Sequence, residues 1–105
     1  VFTLVADDRV DIEDGVAAPP TAIAGLLEVR GLGIVRLPYA ASARLALVAE
    51  LGAAAERLPP PDRHAALDLP LIRLDSASAS APDRIVLALD CALGRVSQLA
   101  GAFAA

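Results

Sequence analysis

Leu26-Leu27-Glu28-Val29-Arg30-Gly31-Leu32-Gly33-Ile34 is an apolar frame that carries one acid and one base two positions apart, then two glycines bracketing a leucine. On an extended backbone alternate side chains share a face. Glu28 and Arg30 are therefore expected to point one way, with Leu27 and Val29 on the other side. Gly31 and Gly33 let the backbone approach a ligand or turn without a Cβ clash. Ile34-Val35-Arg36-Leu37 is read as a continuation of the strand past the glycines, ended by Pro38. The stretch predicts a paired charge site beside a flexible segment.

Upstream, Val1 to Ala6 is a short apolar run that ends in Asp7 and Asp8. A buried strand delivering an acid at its C-terminal end is the pattern of a Walker B element. If strand geometry continues, the two neighbouring acids point to opposite sides, one toward a metal or substrate and the other bracing a loop. The same Asp-Asp pair is also a plain turn opener.

Leu27-Glu28-Val29-Arg30-Gly31-Leu32-Gly33-Ile34 resembles the signature segment of the HPr kinase/phosphorylase family. Leu4-Val5-Ala6-Asp7-Asp8-Arg9-Val10 resembles the segment that follows that family's phosphate-binding helix. Two motifs in this order, about twenty residues apart, are more specific than either alone. The similarity is sharp from residue 4 to residue 35 and loose downstream.

The resemblance implies a P-loop-type α/β kinase domain, HPr kinase/PEP carboxykinase-like, with a mixed sheet and a C-terminal helix. Residues 1–105 would be one partial kinase domain, its phosphate-binding loop expected upstream of residue 1. The implied reaction is ATP-dependent phosphorylation of a serine on the phosphocarrier protein HPr, reversible by phosphorolysis, with ATP and Mg²⁺ as cofactors. Asp8 stands at the position of the family's acid/base aspartate, and Asp7 beside it would help with metal. Glu28 matches the family's magnesium ligand, with Arg30 as its neighbour. Arg57, in Glu56-Arg57-Leu58, resembles a later active-site arginine, although a solvated connector charge explains it equally well. Arg73, Arg84 and the Ser76–Ala81 segment fall where the family carries a loop tied to dephosphorylation, but Ser-Ala-Ser-Ala-Ser-Ala replaces a more basic pattern there. A catalytically silent regulatory or binding module of the same fold, or a structural remainder of a larger enzyme, are the alternatives.

Composition narrows the classes. The 105 residues are 56% hydrophobic but only 3% aromatic, so the packing must be aliphatic. A net charge of −4 argues against nucleic acid and an anionic membrane surface as partners. No run of eighteen apolar residues suggests a membrane span. Cys91 is the single cysteine, so no intrachain disulfide forms and a reducing, cytoplasmic compartment fits. All nine basic residues are arginine, and lysine, asparagine, methionine and tryptophan are missing, a usage that suggests a GC-rich bacterial genome. Without lysine the 105 residues hold no G-x-x-x-x-G-K-[ST] loop. The chain opens inside an apolar pattern without an initiator methionine, as expected of a fragment.

Elsewhere, Val10–Glu13 alternates, Asp14-Gly15 signals a hairpin turn, and Val16-Ala17-Ala18 returns. Pro19-Pro20 stops regular structure, and Thr21 is expected to cap a short helix over Ala22–Leu26. Ala43–Leu51 has a period of two within an alanine-rich stretch; helix and strand both suit it, and strand is the expectation. Gly52–Arg57 reads as a connector and Pro59-Pro60-Pro61 as a stiff extended piece. Leu67–Leu74 reads as a strand, with Pro70 at a sheet edge or at the strand start. Ser76–Ala81 reads as a mobile loop. Ser80, Pro82 and Asp83 then signal a helix start, and Ile85, Leu89, Ala92, Leu93, Val96, Leu99, Ala100 and Phe103 form one apolar face, to pack on the sheet or on another subunit. His64 is read as a surface histidine and Cys91 as a small core residue.

Overall fold

The computed structural model describes residues 2–52 and 56–104, a small mixed α/β arrangement of several short sheets and one helix in the C-terminal part. The chain divides into two compact units, Val1–Leu45 and Ala46–Ala105.

In the first unit, β1 (Asp11–Glu13) and β2 (Val16–Ala18) form the expected antiparallel hairpin, with Glu13 opposite Val16. Its two-residue turn, Asp14-Gly15, has φ of +51° and +76°. Positive φ at both positions is the type I′ requirement, whose twist matches that of the strands. A short strand, β5 (Ala43–Arg44), adds antiparallel to β2 and makes a three-stranded sheet, with Ala17 of the middle strand buried.

Between them lies a second hairpin. β3 (Leu26–Val29) pairs antiparallel with β4 (Gly33–Arg36), Val29 opposite Gly33. The stretch expected to run as one strand therefore reverses at Arg30-Gly31-Leu32. Leu32 N–H donates to the Val29 carbonyl at 2.9 Å, and Gly31 has φ +84°. A type II turn needs positive φ at its third residue and takes glycine there, so the chain folds back at Gly31.

The helix expected over Ala22–Leu26 is replaced by a single 3₁₀ turn, Thr21–Ile23, with Pro20 rather than Thr21 at its N-cap position and no side-chain cap. Gly25 ends it: at φ +78° the chain swings into β3. The Leu37 N–H donates to the Gly25 carbonyl at 2.8 Å, and a Cβ at Gly25 would lie 2.9 Å from the Tyr39 ring.

Val1 lies outside the described residues, and the strand expected over Val1–Ala6 is reduced to one parallel bridge between Leu4 and Tyr39. Ala40 N–H donates to the Leu4 carbonyl at 2.8 Å. Phe2 and Thr3 are exposed and Leu4 to Ala6 half-buried, so this is not a buried central strand.

The expected Ala43–Leu51 strand splits in two. The β2 partner runs out at the Asp14-Gly15 turn, where Leu45 N–H donates to the Gly15 carbonyl at 2.8 Å. The chain leaves that sheet and re-enters regular structure as β6 (Val48–Leu51) of the second unit. There β6 lies parallel to β8 (Leu69–Leu74), and β7 (Arg63–His64) lies antiparallel on the other side. Thus β8 is central in its sheet. Pro70 sits near its start, ahead of the first β6 pair, Val48 with Leu71, so its missing N–H removes no bond to β6. Part of the expected Gly52–Arg57 connector, residues 53–55, lies outside the described residues.

Among the described residues of this unit the buried apolar side chains are Ile72 and Leu74 of β8 and Ala81, and the helix α1 (Ala81–Ala92) packs on β8. Ser80 occupies the N-cap position without a capping bond: its backbone is already helical, at φ −90° and ψ 0°, and its hydroxyl lies 3.1 Å from that of Ser78. The Ser76–Ala81 segment is a series of turns: Asp75 accepts the Ala77 N–H at 2.9 Å and, through its carbonyl, the Ser78 N–H at 3.1 Å.

The helix ends much earlier than its apolar face suggested. Gly94, at φ +76°, donates to the Cys91 carbonyl and Arg95 to the Asp90 carbonyl. That pair of bonds around a left-handed glycine is a Schellman motif. Val96, Leu99, Ala100 and Phe103 follow in turns and bends. Among the described residues no helix is long and apolar enough to cross a membrane.

Candidate functional site

A two-stranded ladder uses only alternate amides of each strand, leaving the others pointing outward. In β3 the Glu28 N–H finds a partner outside the hairpin: it donates to Asp7 Oδ2 at 3.0 Å, across 21 residues. The bend at Asp7-Asp8 is thereby tied to the middle of the hairpin, and the two segments that sequence alone marked meet in space. Both acids and the Glu28 side chain are exposed.

Within this cluster the residues differ in what they can do. One oxygen of Asp7 is engaged by a backbone amide, which orients the carboxylate. Asp8 accepts no hydrogen bond from any described residue. Glu28 takes part in the bond to Asp7 only through its backbone, so its own carboxylate is not consumed by it. Arg30 does not lie on the Glu28 face of a strand as expected; it is the first residue of the Arg30-Gly31-Leu32 turn, and no ion pair joins it to Glu28. Two side chains two apart share a face only while the strand continues, and β3 ends at Val29.

Arg57 belongs to the second unit, whereas Asp7, Asp8, Glu28 and Arg30 belong to the first. There Arg57 lines a groove of about 600 Å³ together with Arg73 and Arg84. Cys91, half-buried, also lines this groove rather than a closed core. The Nδ1 of His64 accepts the Leu67 N–H at 3.1 Å, closing the turn into β8, a structural role for this residue.

A second charged centre was not legible in the sequence. Asp62 accepts the Arg63 N–H at 2.8 Å and Arg73 Nη1 at 3.0 Å, and Arg73 also lies 3.9 Å from Glu50. The Arg63 amide, and then the Arg73 guanidinium, hold the Asp62 carboxyl below its ordinary range. Asp62 and Arg73 are eleven residues apart and meet only because β7 and β8 pair. The Pro-Pro-Pro-Asp-Arg run signalled a stiff connector but not its partner.

A magnesium ion bound by few protein ligands keeps several waters and shares substrate phosphates, needing only one or two carboxylates. Asp7 and Glu28 each offer oxygen donors at an exposed surface, the donor type such an ion takes. Among the described residues no group of three or more His, Cys, Asp or Glu side chains could hold a metal. Comparison with protein-family models gives no match to this chain, and comparison with curated proteins gives none either.

Proposed function

We propose that this chain carries the acidic part of a P-loop-type protein serine kinase similar to the HPr kinase/phosphorylase family, using ATP and Mg²⁺ to phosphorylate a serine of an HPr-type phosphocarrier of the bacterial phosphotransferase system, in the cytoplasm. The observation that supports this most is the Asp7–Glu28 hydrogen bond, since it joins the two segments whose order and content resemble that family.

Phosphoryl transfer asks a protein mainly for positioning and charge neutralisation. Asp8 would accept the serine proton as the hydroxyl oxygen bonds to the γ-phosphorus and the bond to the ADP oxygen breaks. Asp7, oriented by the Glu28 amide, would brace that carboxylate and share the metal with Glu28. The ion, when bound, supplies charge neutralisation at the phosphate oxygens. Arg30 would supply a cation toward the transferring group. In the reverse direction inorganic phosphate would be the acceptor and Asp8 would return the proton to the serine oxygen.

A silent module of the same fold is favoured by one fact, the absence of lysine from all 105 residues, because backbone amides and a lysine normally cradle the phosphates. The two readings part in one experiment. ATP, Mg²⁺ and an HPr-type carrier are incubated with the 105-residue chain and with the gene product extended upstream of Val1, and phosphoserine is read by mass shift. Transfer by the extended product alone supports the kinase; transfer by neither supports the silent module.

A further inference from the structure

The groove on the second unit gathers three arginines beside apolar side chains, an arrangement that the acids of the first unit do not explain. Its apolar wall comes from Ile72 and Leu74 of β8, Leu87 and Cys91 of α1, and Phe103 beyond the helix. Its rim carries Arg57, Arg73 and Arg84 against a single acid, Glu56. A third of the nine arginines of a chain with net charge −4 thus line one concavity. Arg73 is held by Asp62 at 3.0 Å. Arg57 and Arg84 form no ion pair with any described residue. Arg57 and Arg84 place positive charge beside an apolar wall, and concave low-dielectric walls strengthen such a field. The volume, about 600 Å³, lies within the range of small-molecule sites, which are mostly apolar with a few placed polar groups.

We propose that this groove binds a small amphipathic anion, a carboxylate head on an aliphatic body, with the head on Arg84 and Arg57 and the body against Ile72, Leu87 and Phe103. Guanidinium forks match carboxylate geometry with paired N–H donors, and the aliphatic wall offers nothing to a purely polar ion. The inference stands apart from the kinase reading, since it uses no acid of the first unit and no phosphoryl group.

The test is a titration of the ¹⁵N-labelled chain with octanoate, with octanol, acetate and octyl phosphate as separate arms. Octanoate should shift the amides of Ile72, Leu87, Cys91 and Phe103 saturably and leave β1–β4 unmoved. Octanol should bind about tenfold more weakly, the usual worth of a charge-assisted contact, and acetate should produce no saturable shift. Arg84→Gln should weaken octanoate about tenfold without moving the thermal midpoint, and Arg57→Gln should act in the same direction. Octanoate binding no tighter than octanol, equal response to acetate, tighter binding of octyl phosphate than of octanoate, wild-type affinity in both variants, or shifts confined to the first unit would each overturn the assignment.

Discussion

The Asp7 carboxylate accepts the backbone N–H of Glu28 at 3.0 Å, an exposed contact spanning 21 residues. Because the donor is a main-chain group, the bond is indifferent to what side chain stands at position 28. It specifies the acid at position 7, and it leaves Asp8 and the Glu28 carboxylate available for other partners.

Asp7→Ala should therefore expose the Glu28 amide, whereas Glu28→Gln should not. A hydrogen bond to a charged acceptor at a surface contributes on the order of 1 kcal/mol, so exchange of that amide should quicken about fivefold in Asp7→Ala. Residue-resolved hydrogen exchange measures it, and equal exchange in the two variants would show that the bond does not hold the hairpin to the bend.

Gly25→Ala should destabilise the first unit strongly. The added Cβ meets the Tyr39 ring at 2.9 Å and the Leu37 carbonyl oxygen at 3.1 Å, at a φ of +78°. Left-handed strain and overpacking together cost about 2–4 kcal/mol. Gly31→Ala, at φ +84° with nothing within 4 Å, carries the strain without the clash and should cost about 1 kcal/mol. Denaturant unfolding of the two variants separates the terms.

Asp62 gives a pH signature. Its carboxyl is held below the ordinary 3.8, first by the Arg63 N–H and then by Arg73. A group whose folded pKa is depressed contributes stability that is present above the unfolded value and lost as pH falls through the folded one. The thermal midpoint of Asp62→Asn should thus fall below wild type at neutral pH, and the gap should close as pH drops beneath 3.8. Arg73→Gln should narrow the gap only in part, since the backbone donor remains.

Glu28→Gln separates metal chemistry from scaffold in the transfer-competent protein. An amide is a poor ligand for a hard cation, so rate lost at low magnesium should return at least partly at high magnesium, with the midpoint unchanged. Loss that magnesium does not restore would leave Glu28 as part of the hairpin surface only.

What sequence reading reached and what escaped it divide along the range of the interactions. The Asp14-Gly15 hairpin was legible because two adjacent residues with positive φ decide it. The start of α1 was legible from Ser80, Pro82 and Asp83, although the Ser80 hydroxyl went to Ser78 instead of the helix. The reversal at Gly31 was not, because an apolar run through Gly-Leu-Gly suits an extended strand and a turn equally until a partner is known. The split of Ala43–Leu51 depended on where β2 ends, a property of another segment. The apolar spacing from Ile85 to Phe103 runs straight through Gly94, whose left-handed conformation terminates the helix. For the candidate site, the paired motifs mark Asp7 and Glu28 separately, and nothing in them shows that the Glu28 backbone amide links the two. The shared face for Glu28 and Arg30 failed because the strand beneath it stops at Val29.

The most direct test of the proposed role is the rate of phosphoserine formation on an HPr-type carrier by Asp8→Asn and Asp7→Asn, compared with the transfer-competent wild-type protein at saturating ATP and Mg²⁺. Removing a positioned general base lowers the rate by on the order of 10²–10⁴, and Asp8→Asn should fall in that range while nucleotide binding persists. Asp7→Asn, whose amide oxygen can still accept the Glu28 N–H, should lose less. Wild-type turnover in Asp8→Asn, with loss in Asp7→Asn or in neither, would contradict the assignment of Asp8 as the acid that takes the serine proton.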